Sequence, residues 1–101
     1  MKRTLVIYTT KLEHTEENAR LIGSVFDELQ AHAPEGLRYM VLRYGEGRFV
    51  HVVEQRDGAA SLSDFEAFRA FQKSASERWL VRPEVSEVTV VGSYGVMLDA
   101  A

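Results

Sequence analysis

The chain has 101 residues, 46% hydrophobic and 27% charged, the size and make-up of a single globular domain (1–101) built around one core. With no cysteine there is no disulfide, no thiolate metal site and no cysteine nucleophile, and the composition fits a reducing, cytoplasmic setting. A net charge of −3 gives no basic footprint for phosphate backbones, so nucleic acid is not an expected partner. The apolar run behind Met1-Lys2-Arg3 breaks at Thr9-Thr10-Lys11, too short for a signal peptide or a membrane span.

Leu5 to Thr10 is β-branched and aromatic and predicts a first strand, apolar enough to be covered from both sides. From Thr15 to Ala33, Ile22, Val25, Phe26, Leu29 and Ala33 recur at helical spacing, and Pro34-Glu35-Gly36 ends that helix. Leu37–Tyr44 and Arg48–Gln55 are strand-like runs joined by Gly45-Glu46-Gly47, whose glycines accept positive φ, and so predict a hairpin. After a loop at 56–60, Ser63 with Glu66 reads as a capping box opening a second helix over 63–79, striped by Phe65, Phe68, Phe71, Ala75 and Trp79 and closed by Arg82-Pro83. Val85 to Tyr94 predicts the fourth strand, with Gly92 a bulge or close approach.

Strand, helix, two strands, helix, strand, with right-handed crossovers, predicts an α+β fold. It is a ferredoxin-like βαββαβ sandwich, a four-stranded antiparallel sheet with two helices on one face. The expected core between helices and sheet is Ile22, Val25, Phe26, Leu29, Phe65, Phe68 and Phe71. Tyr39 to Leu42 and Phe49 to Val53 leave little polar alternation for a wet outer face, so a second copy is expected against it, with Val41, Val50 and Val52 as candidate contact positions.

Among residues that could carry chemistry, His51 stands out as an imidazole within an apolar strand, able to exchange a proton near neutral pH. A core histidine satisfied by a carbonyl or a tyrosine would have the same sequence context. If Gly45-Glu46-Gly47 is the hairpin loop, His51 lies opposite Val41 and shares a face with Tyr39, Phe49 and Val53. His14 and His32 form no ligand pair, and no H-x-x-x-H or paired-aspartate pattern occurs, so no metal is expected. The Phe65, Phe68, Phe71 and Trp79 stripe would wall an aromatic ligand pocket or simply fill a core. No G-x-S-x-G elbow or phosphate loop is present, and Gly45 to Val52 matches an RNA-recognition strand only at Phe49 and Val50.

The paired runs Glu35-Gly36-Leu37-Arg38-Tyr39 and His51-Val52-Val53-Glu54, the Phe68-Arg69-Ala70-Phe71 helix and the closing Val91-Gly92-Ser93-Tyr94-Gly95 resemble the dimeric α+β barrel group that includes the antibiotic-biosynthesis-monooxygenase-like proteins. The resemblance spans nearly the whole chain and rests on a profile of features rather than a motif. It implies a homodimer joined through the sheet faces, with a pocket between each sheet and its own helices. It also implies an aromatic or polycyclic small molecule as ligand, oxidised by dioxygen with no metal or other cofactor, or else bound by a non-catalytic protein of the same fold. On this reading His51 and Tyr39 are the candidate catalytic residues, and Tyr8, Phe65, Phe68 and Trp79 the candidate ligand-binding ones. The chain departs from the group where many members have a histidine in the second helix, since residues 65–72 contain none. It also has Thr9 and Thr10 where a haem-degrading branch has an asparagine on strand one; its only asparagine is Asn18.

Overall fold

The computed structural model describes residues 1–96. Its elements are β1 (Lys2–Thr10), α1 (Thr15–His32), β2 (Leu37–Tyr44), β3 (Arg48–Gln55), α2 (Glu66–Lys73), α3 (Ala75–Arg78) and β4 (Trp79–Glu87), with 3-10 turns at Leu12–His14 and Leu62–Asp64. The sheet order is β2-β3-β1-β4 and every neighbouring pair is antiparallel, the ferredoxin-like arrangement expected from the element order.

In α1 the buried positions Thr15, Asn18, Ile22 and Val25 follow three- and four-residue spacing, so one stripe faces the sheet. The helix ends where Ala33 turns left-handed (φ 45°) and its N–H donates to the Leu29 carbonyl at 2.7 Å. On the sheet, Tyr8 pairs with Phe49, Val6 with His51, Val41 with His51 and Tyr39 with Val53. A period of two therefore puts all of these on the helix side. There Tyr8, Ile22, Val25, Phe49 and Phe71 make the buried core, with Phe26, Leu29, Phe68 and Trp79 half-buried against it. Phe65 is also buried, beneath the start of α2 and beside His32.

Three expectations need correction. The second helix does not run unbroken over 63–79. Its capping box lies two residues earlier, on the 3-10 turn, where the Ser61 N–H donates to Asp64 Oδ2 at 2.9 Å. The helix proper starts at Glu66, with the Ala67 N–H donating across to Glu28 Oε1 on α1, and it breaks at Ser74, leaving α3 as a single further turn. The fourth strand is Trp79–Glu87, not Val85–Tyr94, and Val91, Gly92 and Tyr94 lie beyond the sheet. Pro83 signals a stop in the sequence, yet it sits inside β4, where the pairing with β1 shifts register between Ile7 and Thr9; an edge strand with a bulge needs no N–H there. Val41 belongs to the helix side with His51, so only Val50 and Val52 of the three candidate contact positions face outward.

The β2–β3 turn packs onto the end of β1. Thr10 N–H donates to the Gly47 carbonyl at 2.7 Å, and a Cβ on Gly47 (φ 76°) would stand 2.9 Å from Thr10 Oγ1 and 3.0 Å from the Thr10 carbonyl. Gly45 has a similar φ of 54° but only Arg48 Cδ nearby, at 3.9 Å. Alanine at either site carries the left-handed cost of roughly 1–2 kcal/mol. Gly47→Ala adds overpacking of about 1–3 kcal/mol against β1. Urea unfolding should therefore rank Gly47→Ala clearly below Gly45→Ala; equal stability would mean that the turn does not seat on Thr10.

Candidate functional site

Because β1, β2 and β3 present alternate residues to the helices, Tyr8, His51 and Tyr39 come together as diagonal neighbours across three strands. The His51 ring is 5% exposed and is hydrogen-bonded at both nitrogens, Nε2 to the Tyr8 hydroxyl at 2.8 Å and Nδ1 to the Tyr39 hydroxyl at 2.6 Å. Two residues that sequence reasoning missed extend this chain. Asn18 Nδ2 on α1 donates to the Tyr8 hydroxyl at 2.9 Å, and Arg78 Nε on α3 donates to Asn18 Oδ1 at 2.9 Å. The other Arg78 nitrogens donate to Ser74 Oγ and the Phe71 carbonyl, both at 2.8 Å, and the guanidinium lies 5.1 Å from the Phe71 ring centre. Asn18 and Arg78 are each 1% exposed, and among the described residues no carboxylate is within ion-pair distance of Arg78. The signal for both was spacing: Asn18 is four residues before Ile22 on the core stripe of α1, and Arg78 lies three residues after Ala75, which itself lies four after Phe71.

The electrostatics of the chain follow from burial. Desolvation pulls the His51 pKa from 6.5 down to about 4, so its imidazole is neutral at pH 7. Burial pushes the Tyr8 pKa up to about 12, against the pull of the Asn18 bond and the Arg78 charge, and it raises that of Tyr39 further, helped by the nearby Tyr8. Burial lowers the Arg78 pKa from its usual value, opposed by the more distant charges of Glu17, Tyr8 and Glu77. A guanidinium nevertheless stays charged in proteins.

The three rings line a cavity of about 480 Å³ between the sheet and α2 and α3. Val6, Val53, Phe68, Phe71 and Trp79 make most of its apolar wall, and exposed Arg82 is the one charged residue among those lining it. Of the sequence-predicted site residues, Tyr8, Tyr39, His51, Phe68 and Trp79 line this cavity and Phe65 does not; Leu62, on the preceding turn, lines it instead. Trp79 reaches it as the first residue of β4 rather than the last of a helix. Among the described residues no three histidine, aspartate or glutamate side chains converge as metal ligands.

No family model matches the chain, and no curated protein matches it in sequence. Solved structures do match its fold. A protein from Nitrosomonas europaea provisionally named an antibiotic biosynthesis monooxygenase superposes with a TM-score of 0.73 at 16% identity, covering 93% of each chain. A conserved protein from Methanosarcina mazei Go1 gives 0.67 at 19% identity, covering 86% of this chain and 89% of its own. A provisionally named antibiotic biosynthesis monooxygenase from Caulobacter crescentus CB15 gives 0.65 at 15% identity, with 90% of each chain covered. At these identities the likeness establishes the fold: this chain has the ferredoxin-like α+β fold of structures carrying the monooxygenase name.

The depressed His51 pKa makes stability depend on pH. Above pH 6.5 both folded and unfolded chains hold the imidazole neutral; as pH falls from 6.5 towards about 4, only the unfolded chain takes up the proton. The folded state thereby loses about 3 kcal/mol across that window, at 1.36 kcal/mol per pKa unit. Urea unfolding of wild type and His51→Gln at pH 8 and pH 5 should show the wild type losing more stability than the variant. Parallel losses would place His51 in contact with solvent.

Proposed function

We propose that the protein is a monooxygenase-like homodimer that holds an aromatic or polycyclic small molecule between its sheet and helices and lets it react with dioxygen without metal or flavin. The observation that carries this reading is the His51–Tyr39 hydrogen bond of 2.6 Å on the wall of a cavity otherwise built from aromatic and aliphatic side chains. Phe68, Phe71 and Trp79 supply faces for a flat ring system, and the volume suits a molecule of two or three fused rings. With no carboxylate among the described lining residues and exposed Arg82 among them, an anionic or acceptor-rich ligand is favoured.

Such a substrate carries a CH₂ conjugated with an aryl ketone, acidic enough to release its proton to solvent water and react as the enolate. The Tyr39 hydroxyl, backed by neutral His51, hydrogen-bonds the enolate oxygen. One electron passes from the enolate to dioxygen and the two radicals join, forming a C–O bond. The resulting peroxide loses hydroxide as the remaining C–H proton leaves, and the C–H electrons form the new carbonyl. Dioxygen thus supplies both the inserted oxygen and the oxidising equivalents, and the other oxygen departs as water. The histidine pKa of about 4 favours one alternative reading, in which the same cavity binds its ligand without turnover, because His51 is a poor proton acceptor at pH 7.

Oxygen uptake with a tricyclic anthrone as probe separates the two. Tyr39→Phe should lower kcat by about 10²- to 10³-fold with little change in KM, as for the loss of one oxyanion donor. Binding of the anthrone by the wild type with no oxygen uptake would establish the non-catalytic reading instead.

The outer face of the sheet supports the dimer. Leu5, Ile7, Met40, Leu42, Val50 and Val52 lie together there, Ile7 36% and Leu42 46% exposed, with the Arg3–Glu54 ion pair (2.7 Å) beside them. A self-complementary contact between two such faces would reach the roughly 1,000 Å² of a specific interface. Val52→Arg places a charge there in each subunit and should convert the dimer to monomer in light scattering after size exclusion. A wild-type monomer at micromolar concentration would overturn the dimer.

A further inference from the structure

The hydrogen bonds from Arg78 to Tyr39 take their direction from the Arg78 end. A guanidinium has no acceptor, so the atom of Asn18 facing Arg78 Nε must be the amide oxygen, and the amide nitrogen therefore faces Tyr8. The Tyr8 hydroxyl belongs to a buried side chain, and of its two described partners Asn18 Nδ2 can only donate; His51 Nε2 is therefore the acceptor available to the Tyr8 proton, and this leaves Nε2 bare. A neutral imidazole with a bare Nε2 carries its proton on Nδ1, and that N–H donates to the Tyr39 oxygen. The Tyr39 proton then has no acceptor in the chain, and the residue lines the cavity.

We infer that Arg78, acting through Asn18, commits the Tyr39 hydroxyl to donate into the cavity, so that the site selects its ligand by an oxygen acceptor, a ketone, enolate or phenolate oxygen, on an aromatic frame. The ligand class rests on the cavity reading above; the direction of the chain does not. Arg78 and Asn18 touch no ligand and act as positioning residues. The direction matters energetically because a donor facing a donor in a buried site loses both bonds, which is how polar sites reject ligands of matching shape but wrong polarity.

An isosteric substitution should invert the chain. In Asn18→Asp both carboxylate oxygens accept, one from Arg78 and one from the Tyr8 hydroxyl. Tyr8 then accepts from a protonated Nε2, Nδ1 becomes bare and takes the Tyr39 proton, and Tyr39 turns lone pairs towards the cavity. The ¹⁵N shifts of the His51 ring report this without any ligand. Wild type should carry the proton on Nδ1, and Asn18→Asp on Nε2. Protonated Nε2 in the wild type, read on the native protein whatever the variant's stability, would overturn the inferred direction; so would a folded Asn18→Asp that keeps the wild-type tautomer. For the ligand class, NMR titration with 1-indanone, an acceptor, and indole, a donor of similar size, should show wild type preferring indanone by at least about tenfold, the effect of one buried hydrogen bond. The preference should reverse in Asn18→Asp. Equal affinities would overturn the acceptor selection, and no binding of either would overturn it together with the cavity reading, while the tautomer still decides the direction by itself.

Discussion

A guanidinium buried to 1% exposure, with no carboxylate partner among the described residues, is the constraint on which the rest of the helix-side interior depends. Leaving a charge desolvated costs several kcal/mol unless hydrogen bonds offset it. Each of the three Arg78 nitrogens has an acceptor: an amide oxygen from α1, a hydroxyl from the break between α2 and α3, and a carbonyl from α2. Each acceptor fixes a piece of chain: Ser74 cannot move without releasing Arg78, and Asn18 holds α1 in register over β1. Lys11 N–H also donates to the Arg78 carbonyl at 2.9 Å, tying the end of β1 to the same residue.

From that anchor the polar atoms proceed across the sheet inside an apolar shell. Tyr8 stacks on Phe49 with ring centres 5.5 Å apart, Tyr39 stacks on Phe26 at 4.9 Å, and His51 lies 5.8 Å from Phe71. These rings exclude water from the chain, which strengthens its hydrogen bonds and makes an unmet donor more costly. The same shell holds His51 neutral at pH 7. The cavity exists because the second helix is short: α2 ends at Lys73 and α3 supplies one more turn, leaving the surface over β1 and β4 to Trp79, Pro83 and Val85.

The element order was legible in the sequence because hydrophobic spacing and the Gly45 and Gly47 turn both encode it, and the turn alone set the register that brings Tyr39 and His51 to one face. Asn18 and Arg78 were not legible as site residues. Polar side chains at core spacing look like exceptions to a stripe, and only their meeting, 60 residues apart, gives them a role. Pro83 misled for a different reason. Proline ends helices and is barred from central strands, but β4 is an edge with a register shift, a fact that depends on the tertiary arrangement. Val41 was assigned to the outer face from a continuous apolar run; in such a run periodicity carries no information about side, and only pairing with His51 settles it.

The hydrogen bonds join the five side chains from Arg78 to Tyr39 into one unit. Asn18 and Tyr39 do not bond to each other and meet only through Tyr8 and His51. A double-mutant cycle of Asn18→Ala and Tyr39→Phe, read by urea unfolding, tests this most directly. A cooperative chain predicts a coupling free energy of about 1 kcal/mol or more; additivity within about 0.5 kcal/mol, as for independent sites, would contradict it.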